Sequence, residues 1–405
     1  MNVRTLVLAG AVSVVGTATL ACEIKNETPV SMLSAGFEAW KAVASAMEEC
    51  GNFEAELDQE FRQKQPAAFA ANPSLYALGG VSNGTITPLI NEGTIRPLDD
   101  LVEKYGQDLT ANQLIRIDGK VMAIAMMVNT QHLMYRNDIL EQLEIPVPET
   151  WDQVLEAAAK IRDAGVVDYP LGATMKTGWN LSQDFNNMFF GFGGKFVDDN
   201  NMPTVNTEAG VKALEMMKAS TEYLDPEYLI SDSTYVQQQF QQGKIAMANL
   251  WASRAGAADD EAESQVVGLV NGAAAPRAFE GGPPATTIWW DGIVIAKNIS
   301  DEEAEAAFRL IVEGLDSEMV KANNDAAVWL VPGYEPGRLA QGAIATLQAQ
   351  PSAVSYPSTS AMGLMHTAVG NKVSNYLTGA TDAEATLQAI EDEYLVSAKE
   401  AGLIQ

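Results

Sequence analysis

The start of the chain alternates between extended apolar segments and a helical segment, and this pattern restricts the possible folds more than any other feature. The predicted segments are Glu23–Leu33 (strand), Ala39–Glu49 (helix), Asn52–Leu57 (strand) and Leu75–Val81 (strand). Such alternation is typical of a parallel sheet covered by helices. Because ligands bind beside the carboxyl ends of the strands in such sheets, we expect the loops Ser34–Glu38 and Gly80–Asn83 to line a crevice.

The charge balance excludes several classes of partner. The 405 residues include 25 Lys and Arg against 53 Asp and Glu, which gives a formal net charge of −28. This excess of negative charge argues against binding to nucleic acid or to an anionic membrane surface. A strongly anionic ligand would also be repelled at long range, although a local arginine can override that repulsion.

The first 21 residues have the features of an export signal. Arg4 supplies the positive charge, Leu6–Val15 is apolar, and small residues follow up to Ala21. The apolar run is too short to span a membrane, and no later segment is apolar and uncharged over a spanning length. The sequence therefore predicts export of a soluble mature protein, starting at Cys22.

Two cysteines, Cys22 and Cys50, allow two interpretations. Cys22 follows the predicted cleavage site and could carry a lipid anchor, although Thr19 stands where lipoprotein signals usually have leucine. Alternatively, the strand–helix–strand pattern between them brings both sulfurs to the same end of neighbouring strands. We favour a Cys22–Cys50 disulfide, formed in an oxidising periplasm.

The segment Thr286–Ala296 interrupts a β-branched strand with polar and aromatic residues. Trp289, Trp290 and Asp291 precede Gly292, so a flat apolar face stands beside a carboxylate, at a glycine that lets a ligand approach. The alternative is a core strand whose Asp291 caps a turn. Since neighbouring side chains of a strand point to opposite faces, only one tryptophan can face a ligand; Trp290, next to Asp291, is the predicted one.

Other residues suited to a polar ligand lie at strand ends and in loops. Trp251 ends a predicted strand, and Trp179 lies in a loop with Asn180. Asn83 follows the third predicted strand. Arg254 is expected either to bind a hydroxyl or an anionic group or to pair with Asp259. The alternative for each tryptophan is a half-buried structural role.

The motifs of common enzymes are missing from the sequence. The only histidines, His132 and His366, are far apart, and there is no Gly-x-Ser-x-Gly motif, phosphate-binding loop or Cys/His cluster for zinc. We therefore predict no catalytic residue, no metal site and no cofactor.

Several motifs, in order, resemble those of bacterial extracellular solute-binding proteins of the maltose- and glucose-binding type, which serve ABC importers. The matching segments are Pro97–Leu101 (PLDDL), Asp118–Lys120 (DGK), Leu133–Leu140 (LMYRNDIL), Pro148–Asp152 (PETWD) and Phe240–Met247 (FQQGKIAM). The resemblance covers essentially the whole mature chain. It implies a periplasmic-binding-protein-like II fold, in which two α/β lobes joined by a multi-strand hinge close around a ligand.

The resemblance also implies a domain organisation and a set of partners. After the signal peptide (1–21), lobe 1 is expected to comprise 22–128 and 286–332, and lobe 2 to comprise 129–285 and 333–405. The implied partners are a small ligand, a neutral sugar or polyol, and the membrane permease subunits of an ABC importer. A periplasmic monomer is expected.

Individual positions follow from the same resemblance. Glu38 matches a sugar-contacting glutamate in the turn after the first strand, although Met32 and Leu33 replace the aromatic residues that precede this turn in glucose-binding members. Asp291 resembles the family's aspartate after its third hinge-side strand. His366 lies in a segment similar to one with a sugar-contacting histidine, and its alternative is a buried structural histidine. Trp329 lies just before Pro332, where the family often places a ligand contact.

Two other functions remain compatible with the sequence. One is a binding protein of the same fold for a non-sugar solute, such as a sulfonate, another oxyanion or a polyamine. The other is a secreted glycan-processing enzyme, which would turn over its substrate where a binding protein returns its ligand unchanged.

Overall fold

The computed structural model describes Cys22 and residues 24–405, so the predicted signal peptide lies outside the described residues. The described chain forms twelve strands and fourteen α-helices. The strands are β1 (Asn26–Ser34), β2 (Gly51–Leu57), β3 (Leu78–Ser82), β4 (Leu114–Ile117), β5 (Lys120–Asn129), β6 (Gln131–Arg136), β7 (Tyr169–Gly172), β8 (Ile245–Trp251), β9 (Val270–Ala273), β10 (Thr287–Ile295), β11 (Val328–Trp329) and β12 (Val354–Ser355). The helices are α1 (Glu38–Glu49), α2 (Phe61–Ala70), α3 (Ile86–Asn91), α4 (Asp99–Tyr105), α5 (Asn137–Gln142), α6 (Trp151–Ala164), α7 (Trp179–Gly191), α8 (Glu208–Ser220), α9 (Ser233–Gln241), α10 (Asp301–Gly314), α11 (Ser317–Ala322), α12 (Gln341–Gln348), α13 (Ser360–Leu377) and α14 (Ala383–Glu400).

The strands form two separate sheets, one in each lobe. The first sheet has the order β11–β5–β10–β3–β1–β2, with β12 beside β10 and β4 beside β5. The second has the order β7–β8–β6–β9. Apart from β12 and the last residue of β5, the first sheet lies within the residues predicted for lobe 1, and the second sheet lies within those predicted for lobe 2. The exact lobe boundaries stay a prediction.

Strand direction in the first sheet follows the predicted pattern. β1 pairs in parallel with both β2 and β3, as alternation with helices requires. β10 runs antiparallel between β3 and β5, and this brings Asp291 opposite Ser82. The carboxyl end of β3 therefore lies beside the middle of β10, and the carboxyl end of β1 lies next to β3 on its other side.

Three chain passages connect the lobes. The chain leaves β5 at Asn129 and enters β6 at Gln131, and it returns at Thr286 to begin β10. The hydroxyl oxygens of Thr130 and Thr286 lie 3.1 Å apart, so these two passages are bonded together. The third passage follows β11. A hinge made of a few extended residues lets two rigid lobes rotate without disrupting either core.

Local capping signals position several helices. Thr150 accepts a hydrogen bond from the backbone N–H of Gln153 at 3.3 Å, and the Gln153 side chain accepts from the backbone N–H of Thr150, so the two residues form a capping box at the start of α6. Ser300 accepts from the backbone N–H of Glu303 at 3.1 Å at the start of α10. Asp382 accepts from the backbone N–H of Ala385 at 2.8 Å at the start of α14.

A disulfide joins Cys22 to Cys50, with the two Cα atoms 5.2 Å apart. It ties the start of the described chain to the end of α1. The disulfide uses the same sulfur that acylation of Cys22 would require. No helix within residues 24–405 has the length and apolar character needed to cross a membrane.

Candidate functional site

A cleft of about 640 Å³ lies between the lobes and is lined by both of them. Lobe 1 contributes the turn after β1, the start of α2 and the end of β3, and lobe 2 contributes the loops before α7 and α9 and the end of β8. The lining residues are Ala35, Phe37, Gln59, Glu60, Arg62, Gln63, Ser82, Asn129, Lys176, Thr177, Gly178, Trp179, Asn180, Asp232, Ser233, Thr234, Trp251, Ser253, Arg254, Trp289, Asp291 and Thr367.

Three tryptophans form one wall of this cleft. The ring of Trp179 is stacked near that of Trp251 with centroids 6.4 Å apart, and it meets Trp289 edge-on at 5.7 Å. Trp251 and Trp289 are also perpendicular, with centroids 5.9 Å apart. Trp289 and Trp251 are buried, whereas Trp179 is half-buried and presents the most accessible face. Such a wall offers the flat apolar surface that the C–H groups of a carbohydrate require.

The aromatic wall is supported from behind. Tyr356 stacks on Trp289 with centroids 4.0 Å apart, and its hydroxyl lies 2.9 Å from Nδ1 of His366. Nε2 of His366 lies 3.0 Å from the carbonyl oxygen of Trp179, where α7 begins. Burial lowers the pKa of His366 to about 4, so this histidine is neutral near pH 7. It therefore holds the wall in place without contributing a charge.

A buried hydrogen-bond network fixes Trp289. Its indole N–H donates to the Thr287 hydroxyl at 2.8 Å, and this hydroxyl in turn donates to the Asn187 side-chain carbonyl at 2.9 Å. Gln183 donates to both acceptors. The network connects β10 to α7, and the polar end of the indole is satisfied away from the cleft.

Asp291 and Arg62 face the same space from different elements. Loss of hydration raises the pKa of the Asp291 carboxyl to about 7, although the positive charge of Arg62 acts in the opposite direction. The guanidinium carbon of Arg62 lies 4.5 Å from the centroid of the Trp179 ring, at cation–π distance. Arg62 of lobe 1 thus contacts Trp179 of lobe 2 across the cleft.

The remaining charged groups of the cleft lie mainly on lobe 2. Arg254 donates to the side-chain oxygen of Gln237 at 3.2 Å, and its guanidinium lies 5.8 Å from the Phe37 ring. The predicted alternative, in which Arg254 pairs with Asp259, is wrong because Asp259 pairs with Arg338. Lys176 forms an ion pair with Asp232 at 3.2 Å.

Five of the sequence-predicted residues line the cleft together: Trp179, Asn180, Trp251, Arg254 and Asp291. Trp290 requires a correction. It lies on the opposite face of β10, packed against the apolar cluster around α2 and α3, and Trp289 occupies the cleft side. In an extended strand Trp289 and Asp291 share one face, so a cleft on the Asp291 side cannot receive Trp290.

The other predicted residues lie outside the cleft lining. Asn83 is buried and donates to the carbonyl of Tyr356 at 3.1 Å. Glu38 is exposed and pairs with Lys41, and Trp329 is buried in the lobe 1 core, where it donates to the Asn323 carbonyl.

His366 and Gly292 act from behind the site. His366 is buried beneath Trp179, so it supports the wall and does not line the cleft. At Gly292 an added Cβ would lie 2.5 Å from the carbonyl oxygen of Ile124, so this glycine permits the close approach of β10 and β5. Gly292 therefore allows a neighbouring strand, and not a ligand, to come close to β10.

Sequence reasoning missed Arg62, Trp289 and the ion pair of Lys176 with Asp232. Arg62 lies on α2, a helix that contains Pro66, and proline inside a segment argues against a helix. No local signal distinguishes Arg62 from any other exposed arginine. For Trp289 a signal was present: residues two apart in a strand share a face, so a cleft-facing Asp291 places Trp289 on the cleft side as well.

The two lobes, the extended hinge passages and the aromatic and polar cleft between the lobes define a class of protein: a two-lobed ligand-binding protein of the periplasmic type. Within that class, the chain belongs to the family described as bacterial extracellular solute-binding protein, whose model matches residues 34–319.

The chain is also similar to three individual proteins. The chain is 26% identical over 145 residues to the sn-glycerol-3-phosphate-binding periplasmic protein of Rhizobium meliloti (strain 1021), a match that spans 32% of this chain and 32% of that relative. A solute-binding protein of Agrobacterium radiobacter K84, solved with ribitol, has a TM-score of 0.80 and 21% identity, over 92% of this chain and 99% of that one. A solute-binding protein of Agrobacterium vitis S4, solved with D-mannitol, has a TM-score of 0.78 at 21% identity and the same coverage.

Proposed function

We propose that the protein captures a sugar or polyol in the periplasm and delivers it to the permease subunits of an ABC importer. The observation that carries this proposal is the wall of Trp179, Trp251 and Trp289 in a cleft whose other surfaces are polar. A polyhydroxylated ligand needs both kinds of surface, because an unpaired buried hydroxyl costs about 1–3 kcal/mol. The ribitol and D-mannitol bound by the similar proteins support this ligand class.

The mechanism is capture by lobe closure. Polar groups at the hinge and on lobe 2, such as Asn129, Asn180 and Ser253, line the cleft and can bond to hydroxyls of a ligand on the tryptophan wall. A ligand that contacts both lobes stabilises the closed arrangement over the open one, since its differential contacts shift the equilibrium. A permease can then distinguish the loaded protein from the empty one by its shape.

A thermal-shift screen tests the proposal. Ribitol, D-mannitol, pentoses, hexoses and disaccharides are each added to the mature protein, and hits are measured by calorimetry. A ligand at about 100 times its Kd should add about 2.7 kcal/mol to the free energy of unfolding. Small-angle scattering with a saturating hit should show a decrease in the radius of gyration. If no sugar or polyol stabilises the protein, the proposed ligand class is wrong.

The alternative of a glycan-processing enzyme is tested on the same samples. A binding protein returns its ligand unchanged, so chromatography after prolonged incubation should recover the hit intact. A product that accumulates in proportion to protein concentration would contradict the proposal and support the enzyme.

A further inference from the structure

Two arginines of the cleft have no carboxylate partner. Among the described residues, no carboxylate oxygen lies within 4.0 Å of the guanidinium of Arg62 or of Arg254. Five of the other seven arginines in the described part of the chain form ion pairs, for example Arg96 with Asp301 at 3.0 Å and Arg136 with Asp138 at 2.6 Å. In a sequence with 53 acidic and 25 basic residues, carboxylates are abundant, so the two unpaired guanidiniums in one cleft need an explanation.

Both guanidiniums are held mainly by aromatic faces, which leaves most of their N–H donors unused. Arg62 lies over Trp179 at 4.5 Å, and Arg254 lies over Phe37 at 5.8 Å and donates one hydrogen bond, to Gln237 at 3.2 Å. A guanidinium has five N–H donors in a planar fork, which matches the two oxygens of a carboxylate or phosphate. The rings therefore order the forks and leave their donors available to a ligand.

The two arginines come from different lobes. Arg62 belongs to α2 of lobe 1, and Arg254 follows β8 of lobe 2. Each stacks on an aromatic ring of the other lobe, since Trp179 begins α7 and Phe37 precedes α1. An anionic group that bonded to both arginines would contact both lobes, and these contacts would favour the closed arrangement over the open one.

The acidic groups of the cleft lie near the two guanidiniums without forming an ion pair with them. Asp232 forms an ion pair with Lys176 at 3.2 Å, and its charge also acts to raise the pKa of Arg254. Glu60 acts in the same direction on the pKa of Arg62, but it is exposed, and water weakens its effect. The carboxyl of Asp291 has a pKa raised to about 7 by loss of hydration, so it carries only part of a negative charge near neutral pH.

From these contacts we propose that the ligand is a polyol or sugar that carries one oxyanion group, a carboxylate or a phosphate, bound between Arg62 and Arg254. This inference rests on the function proposed above, and it specifies the substrate class of the same site. The tryptophan wall holds the carbon chain, Asp291 accepts from a hydroxyl, and the two guanidiniums bind the oxyanion. The local arginines overcome the repulsion that a net charge of −28 exerts on an anionic solute.

The test compares matched ligands by isothermal calorimetry. Ribitol and mannitol are each measured beside the aldonate, the uncharged aldonamide and the monophosphate with the same carbon chain. We expect the aldonate or the monophosphate to bind at least about tenfold tighter than both the polyol and the amide. The aldonate and monophosphate arms identify which oxyanion the site takes. The preference should weaken as ionic strength rises, because salt screens the charges.

Variants assign the preference to the two arginines. Arg62→Gln and Arg254→Gln should each lower the ratio of charged-ligand to neutral-ligand affinity by about tenfold. Arg62→Lys, which keeps the charge and loses the fork, should retain part of the preference. Arg116→Gln is the matched control, since Arg116 pairs with Asp99 at 3.2 Å outside the cleft, and it should leave the ratio unchanged. Thermal unfolding confirms that each variant is folded.

Each of three outcomes would contradict a different part of the proposal. If polyols bind as tightly as their charged derivatives, the oxyanion inference is wrong while the proposed function stands. If the charged ligands are preferred and the variants keep that preference, the assignment to Arg62 and Arg254 is wrong. If neither the polyols nor their derivatives bind, the proposed function fails as well.

Discussion

Replacing Trp179 by alanine should weaken ligand binding strongly while leaving the protein folded. Trp179 is half-buried and is the most accessible member of the tryptophan wall. Its backbone carbonyl, which lies 3.0 Å from Nε2 of His366, remains in the variant. The substitution therefore removes the apolar face of the site with little change to the chain that carries it.

The size of the effect follows from the area that a ligand would cover. A sugar or polyol stacked on one face of an indole covers about 80 Å² of apolar surface, which is worth about 2 kcal/mol at about 25 cal/mol per Å². This free energy corresponds to an increase in Kd of about 30-fold. Loss of the stacking partner of Arg62, at 4.5 Å, should add up to about 1 kcal/mol to the effect.

The assay is calorimetry with the best ligand of the screen, and the control is Trp290→Ala. Trp290 is next to Trp289 on β10 but packs on the opposite face, against the apolar cluster around α2 and α3. Trp290→Ala should therefore lower the free energy of unfolding by about 1–3 kcal/mol while leaving the Kd of the ligand within a factor of about two. Chemical denaturation of both variants measures the loss of stability separately from the loss of affinity.

One result would refute the reasoning. If Trp290→Ala weakens binding as much as Trp179→Ala, while both variants are folded at the assay temperature, the tryptophan wall is not the ligand platform. Equal and small effects of both substitutions would lead to the same conclusion.

Three further predictions concern charge, covalent structure and packing. The folded-state pKa of Asp291, about 7, lies above its unfolded value, so the contribution of this carboxyl to stability is complete below about pH 4 and is lost as pH rises through about 7. Asp291→Asn should flatten this decline in unfolding curves measured over a series of pH values, and an unchanged pH profile would contradict the prediction. Replacing Cys22 and Cys50 by serine opens a loop with a sequence separation of 28, which should lower the free energy of unfolding by about 3–4 kcal/mol. Urea denaturation measures this loss, and an unchanged midpoint would count against the disulfide. Gly292→Ala places a Cβ 2.5 Å from the carbonyl oxygen of Ile124, so it should cost about 1–3 kcal/mol of stability by differential scanning calorimetry, and a stable variant would show that β10 and β5 can separate.

Much of the fold could be predicted because its signals are local. The apolar period predicts α1 to within one residue of its observed ends, since side chains that repeat along one face of a helix can be recognised in the sequence. The order of motifs then indicated the two-lobed class. The disulfide could be predicted for the same reason: strand, helix and strand in sequence bring Cys22 and Cys50 together.

The site was predicted only in part, because its residues come together through long-range packing. Trp179, Trp251, Arg254 and Asp291 could be proposed from their places at strand ends and in loops. Trp329 could not be excluded from the sequence, because a tryptophan before a loop is as suitable for a core as for a cleft. In the structure its indole N–H is satisfied by the Asn323 carbonyl inside lobe 1.

The sequence by itself determined the α/β class, the two lobes and the position along the chain of the residues around Asp291. Only the tertiary structure decided that the face of β10 with Asp291 and Trp289, and not the face with Trp290, lines the cleft, and that Arg62 reaches across the cleft to Trp179. The physical reason is that alternation along a strand assigns side chains to two faces, but it does not determine which face packs against helices and which lines the cleft. The packing of α2 and α3 against one face of β10 partly buries Trp290 there, and the same helix α2 carries Arg62 to the cleft.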